Sequence, residues 1–269
     1  MNERTGPVTG LIKVLMTLLY GVPLFWIVLT SFKGSDEVFG PAFSFSPTLD
    51  AYRDMIGPQL WSSLQQSVAI AVGTTAFVLL IAVPAAYAVA RVSGWVSMIG
   101  LGLLIVFQMS PQTANVIPLF QIFGEWRMLD STAGVIVADT ALLTPFAVML
   151  LRPFFRAVPP QLEEAAAIDG AGVMRIFATV VLPIARNGVF TVGTLVFLLS
   201  WGEFLYAVNF YLSPGQYPLS ALLAQQVSAF GINWPGLMAL SVLTSIPILI
   251  VYLLAYGQLR DGLAAGSVK

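Results

Sequence analysis

The run Gln161–Pro183, QLEEAAAIDGAGVMRIFATVVLP, carries three acids (Glu163, Glu164, Asp169), one arginine, two glycines and a closing proline between strongly apolar segments. The chain has no histidine and no cysteine, so the commonest proton shuttle and metal ligand and any thiol site are missing. No catalytic group and no metal site is expected. The chemistry on offer is recognition, with carboxylates and a flat alanine face available for docking. Pro160 suits the first turn of a helix, where its missing N–H is not needed. Glu163 and Glu164 then fall where negative charge favours the helix dipole, and Ala165–Ala167 favour helix. Asp169-Gly170 ends it, with Gly170 as a left-handed cap. Val173, Ile176, Phe177 and Val180 recur on one face of a second helix, and Pro183 marks its join to the next apolar segment. An ordinary interfacial helix between two membrane spans would read similarly, although the lysine-rich polar face of a membrane-surface helix is missing.

Further polar side chains fall within apolar segments. Asp139 and Glu203 are acids there, and such groups are functional candidates because charge is costly in lipid; a structural or interfacial role is the alternative. Gln108, Gln112, Asn115, Trp201, Tyr206 and Asn209 are of the types that hydrogen-bond hydroxyls and stack on sugar rings. With Glu203 they form a candidate pathway set, although polar residues also join helices and aromatic residues also mark membrane interfaces.

The elements that must position these residues are membrane helices. Of 269 residues 58% are hydrophobic and 9% charged, against roughly 25% charged in a soluble domain. No charge falls in Val14–Phe32, Met55–Ala90, Val92–Gly124 or Phe204–Leu259, and a span needs about 20 apolar residues. The expected fold is an all-α polytopic membrane protein in one domain, with six spans near residues 11–31, 63–90, 96–123, 132–151, 187–212 and 236–259. The first apolar run is too long for a cleaved signal and reads as a retained span. The polar, proline-broken MSPQTANVIP in span three indicates a kinked or interrupted helix at a cavity. A polar stretch at 32–61 and a short helix around 220–229 are placed outside the lipid. Six spans put both ends on one side. With that side cytoplasmic, nine Lys/Arg lie inside and three outside. The loop 152–186 between spans four and five is then cytoplasmic, as is the tail 260–269. A net charge of −1 gives no reason to expect a nucleic-acid partner.

The spacing of Glu164, Ala165, Ala166, Gly170, Val180, Leu182 and Pro183 resembles the EAA loop of binding-protein-dependent ABC importers. LLRPFFRAVPPQLEEAAAIDGAG, WGEFLYAV and the ending GLAAGSVK are similar to the MalG-type permeases of its sugar branch. The resemblance implies the type I importer fold and one half of a translocation path in a bacterial or archaeal plasma membrane. It implies a second, MalF-like permease, a MalK-like ATPase dimer carrying ATP and Mg, an extracytoplasmic solute-binding protein and the surrounding bilayer as partners. This chain would bind no cofactor itself, and it lacks a GxxxxGK[ST] phosphate loop. Glu163, Glu164, Ala165, Ala166, Asp169, Gly170, Leu182 and Pro183 are the residues implied for coupling to the ATPase. Arg260, Gly266 and Lys269 are implied for a tail contact. The expected cargo is a sugar or related neutral solute. A polyol or glycerol phosphodiester is the alternative within the class, and an ion-coupled secondary transporter, which would show internal repeats and paired ionisable groups, an alternative outside it.

Overall fold

A computed structural model describes residues 7–40, 43, 45–228 and 231–267. The helices in chain order are α1 (Pro7–Thr30), α2 (Asp50–Met55), α3 (Pro58–Arg91), α4 (Trp95–Gln108), α5 (Gln112–Glu125), α6 (Thr132–Arg156), α7 (Pro160–Ile168), α8 (Val173–Ile176), α9 (Leu182–Trp201), α10 (Leu205–Phe210), α11 (Leu219–Ala224) and α12 (Trp234–Ser267). Five helices among the described residues are long and apolar enough to cross a membrane, and the bent pair α4–α5 supplies a sixth crossing when taken together.

The chain falls into two units. The smaller comprises the chain before Ser62 together with Leu222–Pro247. Nearly all large side chains of α1 are exposed, a surface that lipid tolerates and water does not. The polar stretch after it folds around local bonds. The hydroxyls of Ser31 and Tyr52 lie 2.7 Å apart, and the Glu37 carboxylate accepts the Ser46 N–H at 3.0 Å. Lys33 is buried against the rings of Trp26 and Phe45. A two-residue hairpin pairs β1 (Val227–Ser228) with β2 (Gly231–Ile232). Asn233 then accepts the Gly236 N–H at the start of α12.

The larger unit holds Ser62–Ala221 and the chain from Ile248. One of its cores joins α3, α6, α8 and α9 through Val78, Ala82, Ala86, Ala147, Leu151, Phe155, Ile176, Ala185 and Val192. Small residues let these helices approach closely, as membrane packing requires. A Cβ at Gly188 would collide with the Phe154 ring, so α6 and α9 touch there only because the side chain is hydrogen. A second core joins Ile70, Phe123, Val135, Ala138, Tyr206, Ala207 and Phe210.

The short helix expected around 220–229 ends at Ala224 and gives way to the hairpin, and the largest departures from the expected spans are four. Span three, expected at 96–123, is two helices at 85°, broken where Pro111 is extended (ψ 132°). The helix of span five runs Val173–Trp201, not 187–212. Pro183 does not interrupt it; Phe177–Val181 widens instead into a π-helical turn. Proline cannot donate to the carbonyl four residues back, and the wider turn absorbs that defect. The far end stops at Gly202, which caps α9, and a separate helix, α10, begins at Leu205. Finally, α12 continues to Ser267, so the expected tail at 260–269 is helical over its described part.

Candidate functional site

The loop between α6 and α9 is held from behind. Pro159 is extended (φ −60°, ψ 127°) and hands over to α7 with Pro160 in its first turn. Arg91, the last residue of α3, donates to the Val158 carbonyl at 3.1 Å. The same guanidinium pairs with Glu163 through Nη2 and donates to its carboxylate from Nε at 2.7 Å. Tyr87, one turn earlier, donates its hydroxyl to Glu163 at 2.6 Å. Its ring packs against Phe155 and Phe177, with Arg91 5.6 Å above it. The chain therefore engages Glu163 from within. Charge-assisted bonds of this kind are about twice as strong as neutral ones, and these tie the first turn of α7 to the end of α3.

At its other end α7 closes with a Schellman motif: Ala171 N–H bonds Ala166 C=O at 3.0 Å and Gly170 N–H bonds Ala167 C=O at 3.0 Å. Gly170 has φ +83°, the left-handed conformation that the pattern needs and that glycine adopts without penalty. Ala166 packs on the core, whereas Glu164, Ala165, Asp169 and Gly170 are exposed. Beside them Ile168, Val173 and Met174 project at 86%, 74% and 77% exposure. Sequence reasoning missed this apolar knob: it placed Val173 on the same face as Ile176, Phe177 and Val180, but only those three turn to the core. Leu182 packs on the core as well, and Pro183 is exposed. Arg260 and Gly266 lie on the last turns of α12, and Lys269 lies outside the described residues.

The candidate pathway residues separate into two groups. Glu203 is buried and accepts the N–H groups of Tyr206 (2.8 Å) and Ala207 (2.9 Å), capping α10, and the Gln112 amide at 2.9 Å, which pins α5 to it. Trp201 is buried and stacks on Phe197. Asn209 donates back to the Leu205 carbonyl at 2.6 Å. Asp139, also buried, accepts the Ser200 hydroxyl at 2.5 Å. These side chains serve the chain's own helix contacts. Asn115 and Tyr206 instead line a cleft of about 770 Å³ together with Ser110, Phe107, Thr140 and Thr144. Among the described residues no charged one lines it. Gln108, Gln112, Trp201, Glu203 and Asn209 are not among its walls.

Outside the spans, Asp130 fixes the turn after α10. It accepts the Ser213 hydroxyl at 2.7 Å and the N–H groups of Ser213 and Leu212 at 3.0 Å. Those bonds, the Ser213 hydroxyl foremost, hold its carboxyl below the usual aspartate value.

The described residues thus make a helical subunit with a braced, exposed loop and a cleft without charged walls. The family model for the inner membrane component of binding-protein-dependent transport systems matches residues 79–264, and the chain belongs to that family. It is 33% identical over 92% of its length to the sulfoquinovosyl glycerol transport system permease protein SmoH of Agrobacterium fabrum, 88% of which is covered. It is 32% identical over 95% of its length to the trehalose transport system permease protein SugB of Mycobacterium tuberculosis, 96% of which is covered. In fold it resembles a chain of a bacterial ABC transporter that imports the acidic polysaccharide alginate. That match has TM-score 0.76 and 21% identity, over 96% of this chain and 98% of the other. The chain is thus an ABC importer permease subunit of the inner membrane; such subunits are not enzymes, and the ATPase is a separate chain.

Proposed function

We propose that the chain forms half of the translocation path for a sugar or related neutral solute and receives force from its ATPase through α7 and the turn at Gly170. The observation that carries the coupling assignment is the exposure of Ile168, Val173 and Met174, together with Glu164 and Asp169, on a loop anchored through Glu163. Apolar side chains this exposed fit a cleft on another protein. The anchoring makes the loop able to pass on displacement, because an equilibrium shifts only through contacts that differ between its states. The Lys/Arg count supports a cytoplasmic loop and cytoplasmic chain ends. A MalF-like second permease, a MalK-like ATPase dimer with ATP and Mg, and an external solute receptor are the partners this reading requires. The relative named for trehalose transport, and the cleft beside Asn115 and Tyr206 with no charge among its described walls, support a neutral sugar over a glycerol phosphodiester.

The test uses Ile168→Asp and Met174→Asp in the purified importer. Both variants are expected to insert and pair with the second permease normally and to lose receptor-stimulated ATP hydrolysis. Stimulation at the wild-type level would refute the docking assignment. Surface variants are preferred to bulky replacements of Gly170, since any side chain there is strained by φ +83° whatever it docks against.

A further inference from the structure

A second concavity, of about 640 Å³, lies between α3, α9 and the part of α12 in the larger unit. Its walls are Leu79, Val189, Phe190, Phe197, Val251, Leu254 and neighbours, almost wholly carbon, with Arg186 the one charged residue among the described ones. Arg186 is exposed and makes no ion pair among the described residues.

The level of this arginine follows from packing. Gly188, two residues on, sits against Phe154, two residues before α6 ends at Arg156. Arg91 closes α3 at Val158. Arg91, Arg152, Arg156 and Arg186 therefore gather at the loop end of the larger unit, where a bilayer boundary places cations. From Leu182 to Phe197, both in the wall, α9 rises about 22 Å. One leaflet of a hydrocarbon core about 30 Å thick needs roughly 15 Å. The groove is thus long enough for one acyl chain, open on the side where Phe190 and Leu254 are exposed, and cationic at the headgroup end.

We propose that this groove binds an anionic phospholipid of the leaflet on the loop side, its acyl chain along Val189, Phe197 and Val251 and its phosphate on Arg186. A lipid fits better than a protein segment. The walls offer a chain almost no hydrogen-bonding group, and Arg186 lies at the loop end with Arg91, Arg152 and Arg156, where an acidic headgroup would meet it. Basic residues beside helix grooves on this boundary are a recurrent means of holding acidic headgroups. The proposal rests on the membrane family assignment and not on the coupling role of α7, so either can fail alone.

Native mass spectrometry of the whole purified importer, titrated with phosphatidylglycerol or phosphatidylcholine, reads the proposal. One arginine at the surface predicts roughly fivefold preference for phosphatidylglycerol. Arg186→Gln is expected to abolish the preference and Arg186→Lys to keep it. Val251→Trp, which fills the groove, is expected to reduce retention of both lipids. Equal retention of the two lipids by the unmodified complex, or an undiminished preference in Arg186→Gln, overturns the assignment. So does efficient cross-linking of Val251→Cys to the second permease, which would show a protein in the groove; the chain has no other cysteine to confuse that readout.

Discussion

Replacing Glu163 by glutamine should loosen the loop without unfolding the bundle. The Arg91 and Glu163 side chains are 23% and 16% exposed. Removing one member of a fully buried pair costs about 3–5 kcal/mol, and a surface pair is worth about 0–1 kcal/mol. This intermediate pair, with the Tyr87 bond kept in part by the amide, should lose roughly 2 kcal/mol. That corresponds to about a 30-fold rise in the population in which α7 is detached from α3. Hydrogen exchange of the amides from Ala165 to Ala171 reports that population directly. Their exchange is expected to quicken by about that factor, while the amides of Val192–Ser200 in the α9 core hold steady. Solute moved per ATP hydrolysed should fall in parallel, with ATPase docking retained. A double-mutant cycle with Arg91→Gln should show strong non-additivity. Unchanged exchange together with additive single mutants would refute the claim that this pair braces the loop. Loss of ATPase binding with unchanged exchange would instead make Glu163 a direct contact.

Glu203→Gln keeps one acceptor oxygen but turns an NH2 toward the backbone donors of α10, leaving a buried N–H unpaired at a cost of about 1–3 kcal/mol. The melting temperature in detergent should drop while the ranking of transported solutes is preserved; an altered ranking would show that Glu203 touches cargo. Asp130 gives a pH signature. Its folded pKa is depressed by the Ser213 and Leu212 bonds, so its stabilisation is complete above the ordinary aspartate value of 3.8 and is lost as pH falls through the lower folded value. Asp130→Asn should flatten the acid limb of the stability curve, and an unaltered limb would contradict the assignment.

The loop and its turn were legible because their signals are local: Pro159 before α7 and Pro160 at its start, Glu163 in its first turn, glycine after its last. The break in span three was legible for the same reason, through Pro111. What escaped depends on tertiary distance. Arg91 reads as the polar end of an apolar run, and nothing in the chain announces that it reaches Glu163, 72 residues on. Val173 fits the periodic apolar face, yet it opens the short helix α8 at 74% exposure while Ile176, three residues on in the same helix, is buried in the core. Glu203 and Gln112 look like pathway groups by type, but a carboxylate beside a helix start finds backbone donors first. Of the candidate pathway residues, Asn115 and Tyr206 reach the cleft, a selection made by the fold and not by residue type.

The π-helical turn carries one residue more than a regular turn would need. Each residue advances an α-helix by about 100°. The heading of Val173 and Met174 relative to α9 is therefore set by how many residues lie between them, more than by which residues they are. Shortening Phe177–Val181 by one would restore an ordinary helix, and a more regular one, while swinging the loop by about a quarter-turn or more away from its partner. Substitutions in this segment act through the packing of Phe177, Val180 and Val181 on the core, whereas a change in its length turns the whole loop. The aim of the loop is kept by a count.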